Sequence, residues 1–443
     1  MKSFILFTLL FASLKAITLD QTISYALEYN NGLKQATILV KQTKTLRDSK
    51  KAQNFGRMDM LASYDHYNNA RTLAPLTPMS IVGSPGGAYK IPTTKDMFSV
   101  GISYNVVLFD GFAQKSIYNI ADLQYKSANI KSYLGKKELI YNVKNLYITL
   151  LSLEEQLQAQ NLYTTSQVRL LKRVEEEKKL GSKSKLDVLK ARNSLEASNT
   201  QKVSIEANIA ILKATLSSLM GGKKFDTTSH IEVKIDNLSN INISDTRLTS
   251  LKRYKATQIN VKMNQRKQIQ AESAYYPRID FNAYYGQNFG PNDTTNISSG
   301  ETIIKKGDWN NEANWQIGVH AKWNILDFGK TSALNEEARL SYILAKVESD
   351  GVKIDLRKNF IKAKNNIKLA KAQYHNFLSQ YKLLSETKKI EQVRYDNGAL
   401  SLTDLLDTGA QKELIYAKMI NAKYSYKQAK YYLDYLLEKG EEK

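Results

Sequence analysis

The stretches "LGSKSKLDVL" (residues 180–189) and "NGALSLTDLL" (residues 397–406) have the same pattern of glycine, aspartate and apolar residues. In each, an aspartate follows a glycine by six residues, and apolar residues come next. Gly181 lies 217 positions before Gly398. A glycine followed by renewed apolar periodicity is typical of a turn between two helices. The two stretches therefore predict two helical hairpins in one chain.

The segments before the two turns carry the apolar spacing of coiled coils, in steps of four and three residues. The first seam is Leu139, Val143, Leu146, Leu150, Leu153 and Leu157, and adding 217 gives Leu356, Phe360, Ala363, Ile367, Ala370 and Tyr374. All six prolines lie in 75–92 and 277–291, so the strongest helix breaker is absent elsewhere. We predict a long helix over 111–178 with a return helix over 183–220, then a long helix over 328–396 with a return helix over 401–438.

The two proline-containing windows alternate apolar and polar residues instead, which is the two-residue period of β-strands. "MDMLASYDHY" from Met58 shows the pattern, and it recurs three times more. The predicted strands have about ten to twelve residues, the length that crosses a bilayer when tilted. Long Gly-, Pro- and Asn-containing stretches between them suit external loops. The strands are predicted at 57–69, 97–109, 278–288 and 314–326.

Four such strands cannot close a barrel, and an open edge in lipid leaves backbone groups unpaired. The chain is therefore expected to oligomerise. A trimer would supply twelve strands, whereas the eight strands of a dimer would close around little more than their own side chains. The organisation that follows is a tandem repeat, 17–221 and 244–440, joined by a linker over 222–243.

The first sixteen residues, "MKSFILFTLLFASLKA", have a basic start, an apolar run and a small residue at a plausible cleavage point. Residues 1–16 are predicted to be a secretory signal peptide. No later stretch approaches the ~20 continuous apolar residues that a membrane-spanning helix needs. The mature chain is expected to be exported.

Composition argues against catalysis. The chain has no cysteine, its four histidines lie at no zinc-ligand spacing, and it contains no nucleophile or phosphate-loop motif. We predict no enzyme activity, no cofactor and no metal. The net charge of +21 leaves an alternative open: an exported basic coiled-coil protein that binds nucleic acid, polysaccharide or another surface. Its lysines are spread along the helices rather than clustered, which argues against nucleic acid.

The order of these features resembles the TolC-like outer-membrane efflux channel family. The resemblance is carried by "VLFDG" (107–111), "ILDFG" (325–329) and "TLDQTISYALEYNNGLKQA" from Thr18, and it covers residues 17 to about 440. It implies an α+β membrane protein in the outer membrane of a Gram-negative bacterium, with the 222–243 linker in its equatorial region. Three chains would form a 12-stranded β-barrel above an α-helical periplasmic tunnel.

The resemblance also implies partners. Besides the homotrimer and outer-membrane lipid, these are a periplasmic adaptor and, through it, the inner-membrane pump or exporter of a tripartite efflux or type I secretion system. The tip residues Leu180, Gly181 and Gly398 stand where similar channels receive the adaptor. The glycines are also what any helical hairpin needs, because they tolerate positive φ.

In similar channels, two acidic residues after the second tip glycine line the periplasmic aperture, and Asp404 and Asp407 occupy those places here. Residues three apart share a helix face, so three copies would form two stacked carboxylate rings that attract cations. The alternative is that both are solvated acids at a helix start, where the helix dipole favours them.

The family also holds its aperture closed through contacts between neighbouring tips. Asp187 and Tyr395 match two of the residues concerned, whereas Leu400 occupies the position of an arginine. The resemblance therefore implies a latch made of apolar contact and an Asp187–Tyr395 hydrogen bond, without the charged part of the family's latch.

Overall fold

The computed structural model describes residues 17–76, 91–225, 231, 233–236, 245–298 and 300–439. The predicted signal peptide, 1–16, and much of the predicted linker, 222–243, lie outside the described residues. The chain forms two compact units. Unit 1 comprises Met1–Val40, Ala128–Thr257 and Ser349–Lys443, and unit 2 comprises Lys41–Ser127 and Gln258–Glu348. Each unit takes segments from both predicted repeats, so the compact units do not follow the predicted division at 222–243.

The helices of the described chain fall within two residues of the predicted long and return segments. Both long helices have 67 residues and both return helices have 35. In chain order the helices are α1 Leu19–Tyr29, α2 Asn31–Ala52, α3 Ala113–Lys179, α4 Lys185–Leu219, α5 Asp245–Ser250, α6 Lys252–Glu272, α7 Lys330–Asp396 and α8 Leu402–Leu436.

The core of unit 1 is built on the two predicted seams. Val143 and Leu150 of α3 are fully buried together with Ile420 of α8, and Ala26 of α1 joins the same cluster. On α7, the seam residues from Phe360 to Ala370 pack with residues of α8 in a second cluster. Burying each large apolar side chain contributes about 1.5–3 kcal/mol. The two halves of the sequence are thus packed against each other in unit 1, which is why the compact units cut across the repeats.

Unit 2 contains a four-stranded antiparallel sheet with the order β1-β2-β3-β6, and a separate hairpin of β4 and β5. Neighbouring strands pair along nearly their whole length. The strands are β1 Arg57–Thr72, β2 Thr93–Phe109, β3 Arg278–Pro291, β4 Asn296–Ser298, β5 Glu301–Ile304 and β6 Trp309–Lys322.

The predicted strand at 314–326 is displaced in the structure. β6 begins five residues earlier and ends at Lys322, which pairs with Arg278. Because Arg278 is the first residue of β3, residues after Lys322 have no partner on that strand. The short β4–β5 hairpin also lies in a segment that was predicted to be loop alone. Apolar alternation locates a strand, but pairing with the neighbouring strand determines its ends.

Directly paired residues of neighbouring strands point to the same side of a sheet. The observed register therefore gives this sheet one apolar and one polar face. Several large side chains of the apolar face are exposed, including Met60 at 76%, Trp315 at 67% and Ile317 at 64%. The apolar face includes Met58, Met60, Ala62, Tyr64, Phe98, Val100, Ile102, Tyr104, Phe281, Ala283, Tyr285, Trp315, Ile317 and Val319. The polar face includes Arg57, Asp59, Ser63, Ser99, Ser103, Asn105, Arg278, Asp280, Asn282, Asn288, Asn314, Gln316, His320 and Lys322.

Among the helices that the structure describes, none is both long enough and apolar enough to cross a membrane.

Candidate functional site

Four helix ends of unit 1 meet at the two predicted turns. The end of α3, the start of α4, the end of α7 and the start of α8 share an apolar cluster, which we call the tip cluster. Leu400 is partly buried against it. The buried members of the tip cluster are Val174, Val188, Ala191, Tyr395, Leu402, Leu405 and Leu406.

The same pair of backbone hydrogen bonds closes both turns. The N–H of Ser182 donates to the Glu177 carbonyl at 2.9 Å, and the N–H of Gly181 donates to the Lys178 carbonyl at 3.0 Å. The matching bonds at the second turn have lengths of 2.8 and 3.0 Å, and the φ angles of Gly181 and Gly398 are +80° and +71°. This pair of bonds is the Schellman motif, which favours glycine at the residue after the helix. Each glycine therefore has a structural role that is independent of any partner.

The helix that follows each turn begins with a capping serine and an aspartate. At the first turn, Ser184 donates to the Asp187 carboxylate through Oγ at 2.7 Å and through its N–H at 3.0 Å, and Ser184 Oγ accepts from the Asp187 N–H at 3.1 Å. The Ser184 hydroxyl and then its backbone N–H, followed by nearby lysines, lower the pKa of Asp187. This is a complete capping box, so the carboxylate is committed to the helix start.

The second turn lacks half of that arrangement. Ser401 Oγ donates to the Asp404 carboxylate at 2.7 Å and accepts from the Asp404 N–H at 3.2 Å. Asp404 and Asp407 are exposed, whereas Leu402, Leu405 and Leu406 between and beside them are buried. The two carboxylates thus lie on the face of α8 that is turned away from the tip cluster. Asp404 is a helix-start acid, as the alternative interpretation holds, and its exposure also leaves it available to a pore.

Tyr395 is buried at 3% exposure, and its hydroxyl has no hydrogen-bond partner among the described residues. Burial first, and then the nearby Glu177 carboxylate, raise the pKa of Tyr395 to about 12. Lys183 Nζ lies 4.5 Å from the centre of its ring. Within one chain the described residues form no Asp187–Tyr395 hydrogen bond, and Asp187 Oδ2 instead accepts two bonds from Ser184.

Arg173 is a tip residue that the sequence did not indicate. Its Nε donates to Glu177 at 2.8 Å, its Nη1 donates to Asp396 at 2.5 Å, and its guanidinium lies 5.3 Å from the centre of the Tyr395 ring. The bond to Asp396 joins α3 to α7. Arg173, and then Gln392, lower the pKa of Asp396. The tip therefore has a charged contact after all, supplied from α3.

The repeat could not have revealed this contact. Adding 217 to Arg173 gives Ile390, and Asp396 lies 223 positions after Arg173 rather than 217. The available signal was position alone: both residues lie in the last two turns of their long helices.

The predicted adaptor-contacting residues are open to solvent in the single chain. Leu180 is 84% exposed, and Leu186 and Leu189 on the next helix are also more than half exposed. A Cβ added at Gly181 or Gly398 would meet nothing within 4 Å. An exposed apolar patch of this kind is typical of a protein interaction surface.

Comparison with known proteins gives the family. The sequence pattern described as outer membrane efflux protein matches residues 22–222 and 253–437, which together are most of the chain. No curated protein sequence matches.

Solved structures show the same fold at low sequence identity. A CusC structure has a TM-score of 0.79 at 16% identity and covers 95% of this chain and 92% of its own. The Campylobacter jejuni CmeC outer membrane channel has a TM-score of 0.77 at 18% identity, covering 95% and 85%. The Vibrio cholerae outer membrane protein VceC has a TM-score of 0.76 at 14% identity, covering 95% and 96%.

The matched sequence pattern and the matched fold are both those of outer-membrane channel proteins. The chain belongs to the outer membrane efflux protein family.

Proposed function

We propose that the protein is the outer-membrane exit duct of a tripartite efflux or type I secretion system, and that it acts as a homotrimer in a Gram-negative outer membrane. The observation that carries the proposal is the four-stranded sheet, which has an exposed apolar face, a polar face and two edges that pair with no other strand among the described residues. A lone sheet of this kind is unstable in water, where the apolar face is exposed, and in lipid, where the edges are unpaired.

Closure by three copies resolves both problems. If β6 of each copy pairs with β1 of the next, twelve strands close without an edge. The apolar face then contacts lipid and the polar face lines the lumen. The main strands have 14 to 17 residues, or about 45–55 Å at ~3.3 Å per residue, which exceeds the ~30 Å hydrocarbon core.

The helices provide the rest of the duct in this proposal. With 67 residues each, α3 and α7 are about 100 Å long at ~1.5 Å per residue. The equal lengths of the two long helices, and of the two return helices, support two tandem structural repeats. Three chains would then place six helical hairpins around one periplasmic tunnel.

The aperture would lie at the tip cluster. Asp404 and Asp407 are exposed on α8, and three copies would form carboxylate rings that attract cations. Closure within each chain would depend on Arg173, which joins α3 to α7. One oxygen of Glu177 and the Tyr395 hydroxyl are buried without partners among the described residues, each at a cost of about 1–3 kcal/mol. Opening would hydrate both groups, which offsets part of the cost of breaking the Arg173 contacts.

The periplasmic adaptor would dock on the exposed tip residues, Leu180, Gly181 and Gly398, and would connect the duct to an inner-membrane pump or exporter. The exposed apolar patch that Leu180 begins supports this assignment. Crosslinking from a photoreactive residue at position 180 should capture a periplasmic protein, and the same residue placed at the buried position 402 should not.

The function is tested by fractionation and conductance of the full chain. The protein should be recovered in the outer membrane and should form discrete, long-lived conducting units in planar lipid bilayers. A chain that stays in the periplasmic fraction and conducts no current would contradict the proposal.

A further inference from the structure

The same Arg-x-Asp motif opens the first strand of each half of the sheet. "RMD" (57–59) begins β1 and "RID" (278–280) begins β3. Arg57 Nε donates to Asp59 at 2.7 Å, and Arg278 Nε donates to both carboxylate oxygens of Asp280 at 3.0 and 3.1 Å. Each aspartate lies two residues after its arginine, so both members of a pair point to the same face of the strand. Two separate parts of the chain thus build the same ion pair.

Both pairs lie on the polar face, at the end of the sheet where the strands join the helices. Arg57 pairs with Asn105 in the sheet register, Asn105 pairs with Asn282, and Asp280 pairs with His320. Asn282 donates to Asn105 Oδ1, and its own Oδ1 lies 2.9 Å from His320 Nδ1. These residues line one side-chain cleft of about 600 Å³. Apart from Gly56, Val106 and Val107, the described residues that line it carry polar or charged side chains.

Each aspartate orients its arginine but accepts from only one nitrogen of the guanidinium group. Among the described residues, the bonds found to each aspartate use Nε, which leaves the terminal Nη groups as donors. The Arg57 side chain is 78% exposed and that of Arg278 is 58% exposed, whereas their aspartates are about 30% exposed. A guanidinium held through one nitrogen presents the remaining N–H donors in a planar fork, which matches carboxylate and phosphate oxygens.

We propose that the Arg57–Asp59 and Arg278–Asp280 pairs form an anion-recognition ring at the helix-side end of the barrel, which contacts carboxylate or phosphate groups of exported molecules during passage. This inference rests on the proposed function, because the polar face becomes a lumen only when three copies close. The ring then contains six arginine–aspartate pairs. It is separate from the aspartates of the proposed aperture, which carry the opposite charge.

Reversal potentials of the full-length channel in planar bilayers test the inference, in a KCl gradient at low ionic strength where charges are little screened. Arg57→Ala with Arg278→Ala leaves two carboxylates uncompensated in each chain. The chloride-to-potassium permeability ratio should fall by about twofold or more. Inorganic phosphate should reduce the wild-type current and leave that of the alanine variant unchanged.

Arg57→Lys with Arg278→Lys is the matched variant, because it keeps the charge and removes the fork. It should keep the permeability ratio and lose the block by phosphate. A conducting alanine variant with the wild-type ratio and wild-type phosphate block would overturn the inference and leave the exit-duct proposal standing. A wild-type protein that conducts no current would instead overturn the exit-duct proposal.

A second variant covers the case in which the alanine protein does not assemble. Asp59→Asn with Asp280→Asn leaves both arginines in place and removes their counter-charges. The permeability ratio should move toward chloride, and an unchanged ratio would overturn the inference.

Discussion

The two helical turns of unit 1 share a glycine, an aspartate six residues after it and the same backbone hydrogen bonds, but their side chains have different roles. At the first turn, Asp187 completes a capping box with Ser184. At the second turn, Asp404 receives only the Ser401 hydroxyl. The ends of the long helices differ as well: α3 carries Arg173, whereas the equivalent position on α7 is Ile390, which is 62% exposed.

The repeat in the sequence thus preserves the geometry of the turn but not the role of each side chain. At the first turn, the Asp187 carboxylate caps the start of α4, and the end of α3 before this turn supplies Arg173 for the interhelical contact. The second turn leaves its aspartates exposed, where a pore could use them.

Truncating the second turn's core should have the largest effect. Leu405→Ala removes a side chain that is 3% exposed, and it should destabilise the tip by about 2–5 kcal/mol. Val188→Ala, at the equivalent position of the first turn, removes less volume and should cost less. Amide hydrogen exchange of the first turns of α4 and α8 measures both. Leu180→Ala is the control, because its side chain is 84% exposed, and a comparable loss of protection there would contradict the account.

Removing the charged contact should loosen the tip without unfolding it. Arg173→Ala breaks the bonds to Glu177 and Asp396, and because these side chains are partly exposed the expected cost is about 1 kcal/mol. Single-channel conductance in bilayers should rise, because the proposed closure within each chain depends on this contact. Ile390→Ala changes the matched position of α7 and should leave conductance unchanged. Equal conductance for wild type and Arg173→Ala would exclude Arg173 from the gate.

Capping should distinguish the two turns by a smaller amount. Ser184→Ala removes a reciprocal cap and should destabilise the start of α4 by about 1 kcal/mol, with a smaller loss at α8 for Ser401→Ala. Hydrogen exchange at the first turns of the two helices gives the comparison. A larger loss of protection for Ser401→Ala would show that the complete capping box adds nothing.

The smallest expected effect is a dependence of the channel conductance on pH. The pKa of Asp396 is lowered by Arg173, so its contribution to tip closure is present above the ordinary aspartate value of about 4 and is lost as pH falls through the lowered value. Conductance should therefore rise as the bilayer solution is acidified below about pH 4. Asp396→Asn should remove this part of the response, and an identical acid response in the variant would contradict the assignment.

Much of the architecture was readable from the sequence because it follows from periodicity. The seam from Leu139 and its equivalent from Leu356 locate the long helices, and the alternation from Met58 locates the first strand. The end of β6 was not readable, because it is set by where β3 begins. Nor was the Arg173–Asp396 contact, because it joins positions that the repeat does not relate. The occupation of Asp187 by Ser184 depends on side-chain geometry that a match of positions cannot supply.

We propose that three copies close one barrel by pairing β6 of each copy with β1 of the next, and disulfide crosslinking between these strands tests that assembly. The chain has no cysteine. Within one sheet β1 and β6 are three strand spacings apart, about 14 Å, which exceeds the ~7 Å limit for a disulfide. Leu61→Cys should be combined in turn with Asn314→Cys, Gln316→Cys and Gly318→Cys to scan the register, with Leu61→Cys alone as the control.

For at least one pair, we expect a ladder of crosslinked species on a non-reducing gel that stops at the trimer. Monomer alone across all three pairs, or a ladder that continues past the trimer, would contradict it.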